Sequence, residues 1–198
     1  MTNILKPEND AQVLEAVHWA VAEKQTMEIV GRGSKRGLGR PVQSDQILDL
    51  SGLSGIIDYQ PSELYIRARA GTPIAEINAE LEKQNQQLMF EPPDFGPLLG
   101  GAAEQGTLGG LIACNMAGPR RIKAGSARDH LLGFHAVSGR GEAFKSGGQV
   151  VKNVTGFDLS KLMSGSYGTL AVITDATLKV LPRPDRQRTV LIQWPHEG

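Results

Sequence analysis

Four glycine-bearing segments hold the residues of this 198-residue chain whose types and spacing point most directly to chemistry. The first is Gly31-Arg32-Gly33-Ser34-Lys35-Arg36-Gly37-Leu38-Gly39, directly after the apolar run Met27-Glu28-Ile29-Val30. Successive N–H groups after a strand can form an anion-binding nest, and glycine lets a phosphate approach the backbone closely. The loop is not a Rossmann fingerprint, because the third glycine of that pattern falls where Arg36 stands. Nor is it a Walker loop, since Gly33-Ser34-Lys35 has the order wrong. A phosphate cradle and a basic surface turn both fit it. The second segment is Gly106-Thr107-Leu108-Gly109-Gly110, continuing through Ala113-Cys114-Asn115 to Gly118. Its small residues would let the chain lie against a flat ligand or against another strand. The third is Gly125-Ser126-Ala127-Arg128-Asp129, after Arg120, Arg121 and Lys123. Those cations could meet phosphate or simply stay solvated. The fourth runs from Lys152 through Gly156 and on to Gly168-Thr169-Leu170-Ala171-Val172-Ile173-Thr174, a glycine turn feeding an apolar strand whose edge could hydrogen-bond an adenine. No segment is decisive alone. Together they point to a dinucleotide.

The remaining reactive side chains form no self-sufficient catalytic set. His18 lies on a helical pattern and His196 near the C-terminus, while His130 and His135 are spaced poorly for one metal. There is no His-Glu-x-x-His or Gly-x-Ser-x-Gly motif. Cys114 is the one cysteine, which excludes an internal disulfide, a cysteine-ligated iron–sulfur cluster and a structural zinc site built by this chain. Lysine plus arginine equals aspartate plus glutamate at 21 each, so no net field attracts nucleic acid. No stretch approaches the ~20 apolar residues of a membrane span, and the N-terminus lacks the apolar core of a secretory signal. Glycine is the outlier: 24 residues against the ~7% of ordinary domains, gathered in clusters.

The elements that must position these segments alternate between helix and strand. Asn9 or Asp10 caps a helix to about Lys24, with Val13, Ala16, Val17, Ala20 and Val21 as its apolar face. Met27–Val30 and Ile47–Leu50 read as strands. Ile56–Tyr59 and Leu64–Ala70 read as a strand pair, the second alternating apolar residues with Tyr65, Arg67 and Arg69. Thr72 and Pro73 signal a helix start, cap then first-turn proline, running to about Gln84. Residues 91–129 lack periodicity and are too long for a neutral connection. Strands follow at Leu131–Val137 and Glu142–Lys145, a short helix at Asp158–Met163, a long strand at Leu170–Leu181 and a last strand at Thr189–Trp194.

In order and wording these segments resemble the FAD-binding domain of the vanillyl-alcohol oxidase/p-cresol methylhydroxylase (PCMH) flavoprotein family, in particular its bacterial glycolate oxidase-type FAD-binding subunits. The likeness covers essentially the whole chain, and its most specific pieces are Gly106–Gly110, Gly118–Arg121, Gly125–Asp129 and Val151–Thr174. It implies an α+β, two-subdomain PCMH-type fold: a small N-terminal α/β subdomain over about 1–55, and a larger mixed or antiparallel sheet flanked by helices over about 56–182. Residues 183–198 would be a strand or tail beginning a cap domain that this chain lacks, as a truncated or natural short form. By the same resemblance, Gly31, Arg32, Gly33, Ser34, Lys35, Arg36 and Gly37 would bind the FAD pyrophosphate. Gly106, Thr107, Leu108, Gly109 and Gly110, with Ser126, Arg128 and Asp129, would line the cofactor. Gly168, Thr169, Leu170, Val172 and Ile173 would touch its adenosine end. Covalent members often carry a histidine in the first loop; Ser34 and Lys35 stand there instead, so the FAD is expected to be non-covalent. The implied role is an FAD-binding part of a 2-hydroxy-acid oxidoreductase, with glycolate as substrate, beside a sister flavin subunit and an iron–sulfur subunit. The expected location is cytoplasmic, reaching the inner membrane only through partners. Two alternatives stay open: an FAD-holding assembly or electron-relay module without its own substrate site, and a non-redox binder of ADP-like nucleotides, against which the Rossmann and Walker mismatches count.

Overall fold

The computed structural model describes residues 3–148 and 157–192. Its N-terminal part is a parallel unit: β1 (Asn3–Leu5), α1 (Asp10–Ala22), β2 (Met27–Val30) and β3 (Gln46–Asp49), with sheet order β1-β3-β2. The sequence reading missed β1, whose three residues are too few to show a period. Asn9 caps α1, its side chain accepting from the Gln12 N–H at 3.0 Å. The helix ends at Ala22, two residues before the expected end. Lys24 takes φ +54°, and the Gln25 N–H reaches back to the Ala20 carbonyl while the Lys24 N–H reaches Val21, a Schellman closure made without glycine. Val13, Val17 and Ala20 are buried, but Val21 is exposed.

The rest of the chain is organised by a five-stranded antiparallel sheet. Its strands are β4 (Ile56–Gln60), β5 (Tyr65–Arg69), β7 (Leu131–Ser138), β8 (Ala143–Gly147) and β9 (Ala171–Lys179), in the order β4-β5-β9-β7-β8. The alternation of β5 has the predicted consequence. Ile66 and Ala68, with Ala70 beyond the strand end, enter the main core, while Arg67 and Arg69 face the other side. On the core face lie α2 (Ile74–Glu82), α4 (Leu108–Ala113), α6 (Ala127–His130) and α7 (Leu159–Met163), contributing Ile77, Leu81, Leu108, Leu111, Ile112, Ala127 and Met163. On the opposite face, Val137 and Val172 pack with Val13 and Val17 of α1 and with Leu48, so α1 joins the two sheets. A register shift between His135 and Ala136 in the β7–β9 pairing lets Ala176 and Ile173, three apart on β9, both join the main core while Val172 faces the other side.

Several expectations are corrected. Thr72 does not cap α2. Its buried hydroxyl bonds the N–H and carbonyl of Gly55, and Pro73 takes the cap position without a side-chain bond. Residues 91–129 hold four helices of four to six residues: α3 (Phe95–Leu98), α4, α5 (Arg121–Ala124) and α6. Such helices are too short to show a 3.6-residue period. Their start signals were nonetheless present: Asp94 and Thr107 cap α3 and α4, and Ser126 with Asp129 forms a capping box on α6. The long strand ends at Lys179, after which β10 (Leu181–Pro182) turns to pair with β6 (Gln86–Gln87). The last expected strand is absent over Thr189–Ile192, where Val190, Leu191 and Ile192 are exposed; residues 193–194 lie outside the described residues. Among the described residues no helix is long and apolar enough to cross a membrane.

Candidate functional site

A cavity of about 790 Å³ opens between the parallel unit and the main sheet. One wall is β2 and the loop that follows it. The other is α4 together with residues 166–173, the turn entering β9. The two walls meet where Gly31 faces Thr107: a Cβ at Gly31 would collide with the Thr107 hydroxyl. That hydroxyl sits at the N-terminus of α4 and accepts from the Gly110 N–H at 3.4 Å. Gly109 lies flat on β5's extension, its N–H bonding the Ala70 carbonyl at 2.7 Å, and a Cβ there would be 3.0 Å from that of Ala70. Gly168 closes the far end beside Ile29, with φ +74°.

The structure brings most of the sequence-predicted residues together. Gly31, Arg32, Gly33, Ser34, Lys35, Arg36 and Gly37 all border the cavity, as do Thr107, Gly109 and Gly110, and Gly168, Thr169 and Ile173. Leu170 and Val172 face a smaller cavity of about 290 Å³, which shares Met27, Ile29, Gly168, Thr169 and Ala171 with the large one. The others lie outside it for visible reasons. Leu108 is buried in the core, and the Gly106 carbonyl accepts from the Ile74 N–H. Asp129 is used by the Ser126 N–H and hydroxyl at 2.8 and 3.0 Å, bonds that hold its carboxyl below the usual carboxylate range. The Arg128 N–H goes to the Asn115 side chain. Lys152–Gly156 of the fourth segment lie outside the described residues. Sequence reasoning left out Ala113, Cys114, Ser166 and Tyr167, which complete the walls. Cys114 and Ser166 stood inside quoted segments, but only the fold shows which way they face.

Charge inside the cavity is concentrated on one residue. Arg36 is held outward by Glu28 through a two-pronged pair at 2.9 and 2.7 Å, and Arg32 is exposed. The Lys35 side chain turns inward instead. Its Nζ is 3.4 Å from Ser34 Oγ and 3.6 Å from where a Gly110 Cβ would stand. Burial lowers its pKa from the ordinary lysine value, with Cys114 and Asp94 opposing that shift. Burial likewise raises the Cys114 thiol, against the pull of Lys35.

None of the three described histidines borders this cavity. His18 Nε2 contacts the Gly141 carbonyl at 2.6 Å, and the buried His130 contacts that of Ala124 at 2.8 Å. His135 lies on the opposite sheet face, 3.0 Å from Asp175 and 3.2 Å from Arg67. Among the described residues no cluster of acids, histidines and cysteine could hold a metal.

Comparison with known proteins decides the family. Residues 2–147 match the family described as FAD binding domain. The chain belongs to that family. It is 48% identical over 172 residues to glycolate oxidase subunit GlcE of Escherichia coli (strain K12), covering 87% of this chain and 47% of that one. It is 27% identical over 191 residues to glycolate oxidase subunit GlcD of Bacillus subtilis (strain 168), covering 95% and 38%. The chain thus spans about half the length of GlcE and less of GlcD. Alkyldihydroxyacetonephosphate synthase shares the fold, with TM-score 0.72 and 24% identity over 92% of this chain and 32% of that one. The mixed architecture, a small parallel sheet beside a larger antiparallel one, is therefore the PCMH-type FAD-binding fold.

The cavity fits FAD on three observations. Its volume is within the range of ligand sites, roughly 300–1,000 Å³. Part of its border is bare backbone, because Gly31 and Gly110 stand against Thr107 and Gly109 against Ala70, where a Cβ would be crowded. Among the described residues it also contains under-partnered polar groups: the buried Ser166 Oγ has no hydrogen-bond partner, and Lys35 Nζ has its 3.4 Å bond to Ser34 alone.

Proposed function

We propose that this chain is the FAD-holding part of a 2-hydroxy-acid oxidoreductase, with glycolate as substrate, acting in a multi-subunit complex. The likeness to GlcE over 87% of the chain carries this reading. FAD supplies the two-electron redox chemistry, and the chain's own residues hold and orient it. In this reading Gly31–Gly37 present backbone N–H groups and the Lys35 ammonium to the diphosphate. Thr107, Gly109 and Gly110 lie along the middle of the cofactor, and Gly168, Thr169, Leu170, Val172 and Ile173 receive the adenosine end, where the two cavities share lining residues. Binding is non-covalent, with Ser34 and Lys35 where covalent members carry histidine. The small parallel sheet and the larger antiparallel one act as two subdomains meeting near residue 55, with residues from 183 leading away toward a substrate-binding cap. A sister flavin subunit and an iron–sulfur subunit complete the complex, in the cytoplasm and against the inner membrane only through partners.

One observation favours a second reading. Because His18, His130 and His135 all lie away from the cavity, no described histidine is placed to take the substrate's hydroxyl proton. The chain would then hold FAD for assembly or electron relay while another subunit oxidises the substrate. Purified chain reconstituted with FAD should show a bound flavin spectrum; a protein that stays colourless sinks both readings. Anaerobic glycolate then separates them: bleaching by the isolated chain supports the first, and an unchanged spectrum that bleaches once a sister subunit is added supports the second.

A further inference from the structure

We infer that Lys35 is the counter-charge of the cofactor's diphosphate, and that FAD binding is coupled to keeping Lys35 protonated. This rests on the FAD reading above and adds a control by pH that the reading does not itself require.

The geometry begins with the loop. Of the neighbouring cations Lys35 and Arg36, Lys35 is the one whose side chain turns inward, reaching across toward Gly110 on α4, while Arg36 is held by Glu28. Among the described residues no carboxylate lies within 4.0 Å of its Nζ, whereas Arg36 is matched by Glu28. An ammonium placed among buried groups without a partner loses solvation and gains little in return. Such a group is stabilised when an anion enters. The groups lining the cavity with it come from every neighbouring element: Ser34 on its own loop, Glu28 on β2 paired to Arg36, the Thr107 hydroxyl capping α4 and the Cys114 thiol after it, the more distant Asp94 before α3, and Ser166 and Tyr167 before β9. Arg32 and Arg40 are on the exposed outer loop, and arginine keeps its charge throughout the accessible range. Lys35 is therefore the inward cation whose charge can change, the Cys114 thiol beside it being held neutral to higher pH by burial.

The sign follows from the two states. Without ligand, burial holds the Lys35 pKa below the ordinary lysine value; Cys114 and Asp94 recover only part of that shift. A dianionic diphosphate favours the ammonium and raises the pKa in the complex. The coupling is thus fully present below the pKa of the empty site and is lost as pH rises through that of the complex. Between the two, up to one proton is taken up with each FAD.

Titration of FAD into the flavin-free full chain, by calorimetry from about pH 7 to pH 10 in buffers of different ionisation enthalpy, reads both affinity and proton uptake. The wild type should lose about tenfold in affinity for each pK unit separating the two states, with net proton uptake on the alkaline side. Lys35→Met should bind about tenfold or more weakly at pH 7, without that uptake. Lys35→Arg should keep binding near neutrality and lose the pH dependence, because its charge does not titrate. Lys83→Met, at the exposed end of α2 and away from the cavity, should behave as the wild type, and ionisation of the flavin itself is common to all four proteins. Uptake that survives in Lys35→Met and Lys35→Arg, or none in the wild type, overturns the inference. Failure of the wild type to bind FAD at any pH instead overturns the reading beneath it.

Discussion

Gly31 and Gly33 are two residues apart and must be glycine for different reasons. Gly33 has φ +75°, yet the nearest atom to an added Cβ is Arg36 Cδ at 3.4 Å, so space is not the obstacle. A side chain there costs about 1–2 kcal/mol of backbone strain. Gly31 has ordinary backbone geometry, but its would-be Cβ falls on the Thr107 hydroxyl that caps α4. Gly33→Ala should therefore lower the melting temperature of the flavin-free chain by several degrees and weaken FAD less than Gly31→Ala does. Gly31→Ala should separate the loop from α4 and weaken FAD by about tenfold or more, as a misplacement near 1 Å does at binding sites. Calorimetric titration of both variants checks the order; a larger affinity loss from Gly33→Ala would mean that the Gly31–Thr107 approach does not set the cavity's width. The clustering of glycines was legible in the sequence. Which one faces a partner was not, since Thr107 is brought to Gly31 only by the fold.

The same limit holds for elements. Alternation in β5 assigned Arg67 to the face away from the core, but nothing local announced Asp175 on β9 as its partner. In the structure Arg67 grips Asp175 through two bonds at 2.9 and 3.1 Å, with His135 of β7 at 3.0 Å on the same carboxylate. The Asp175 side chain is 2% exposed and that of Arg67 30%. Burial pushes the carboxyl's pKa up, yet the bonds from Arg67 and His135 together outweigh it and hold the pKa below the ordinary 3.8. Asp175→Asn should cost about 2–3 kcal/mol in urea unfolding, less than the roughly 3–5 kcal/mol for breaking a fully buried pair, because Arg67 keeps some water. The folded-state pKa is depressed, so this stabilisation is whole above the unfolded value and is lost as pH falls from there through the lower folded value. Unfolding followed between about pH 6 and pH 3 should therefore show a shallower acid loss in Asp175→Asn than in the wild type; parallel curves would refute the assignment. Long elements with a clear period, α1, β5, β7 and β9, were read almost correctly. The four short helices of 91–129 were not, because their definition comes from caps and from packing under the main sheet rather than from a repeat.

At the scale of the molecule the two sheets are not independent. Val137 and Val172 of the antiparallel sheet share a core with Val13, Val17 and Leu48 of the parallel one, and the cavity is walled by both. The flavin-free chain should melt in one transition. FAD at about one hundred times its dissociation constant should add roughly 2.7 kcal/mol, raising the midpoint by about 5–10 °C. Two resolved transitions in calorimetry, only one of them moved by FAD, would show that the shared core does not couple the halves. The order β4-β5-β9-β7-β8 has a different kind of consequence. The central strand is the last of the five along the chain, so a ribosome releases β5 and β7 long before the strand that must lie between them. Until β9 emerges, each keeps an open edge able to accept the wrong neighbour. Assembly of the sheet is therefore a late, insertion-like event, and chaperone demand during synthesis should be greatest just before residues 171–179 leave the exit tunnel.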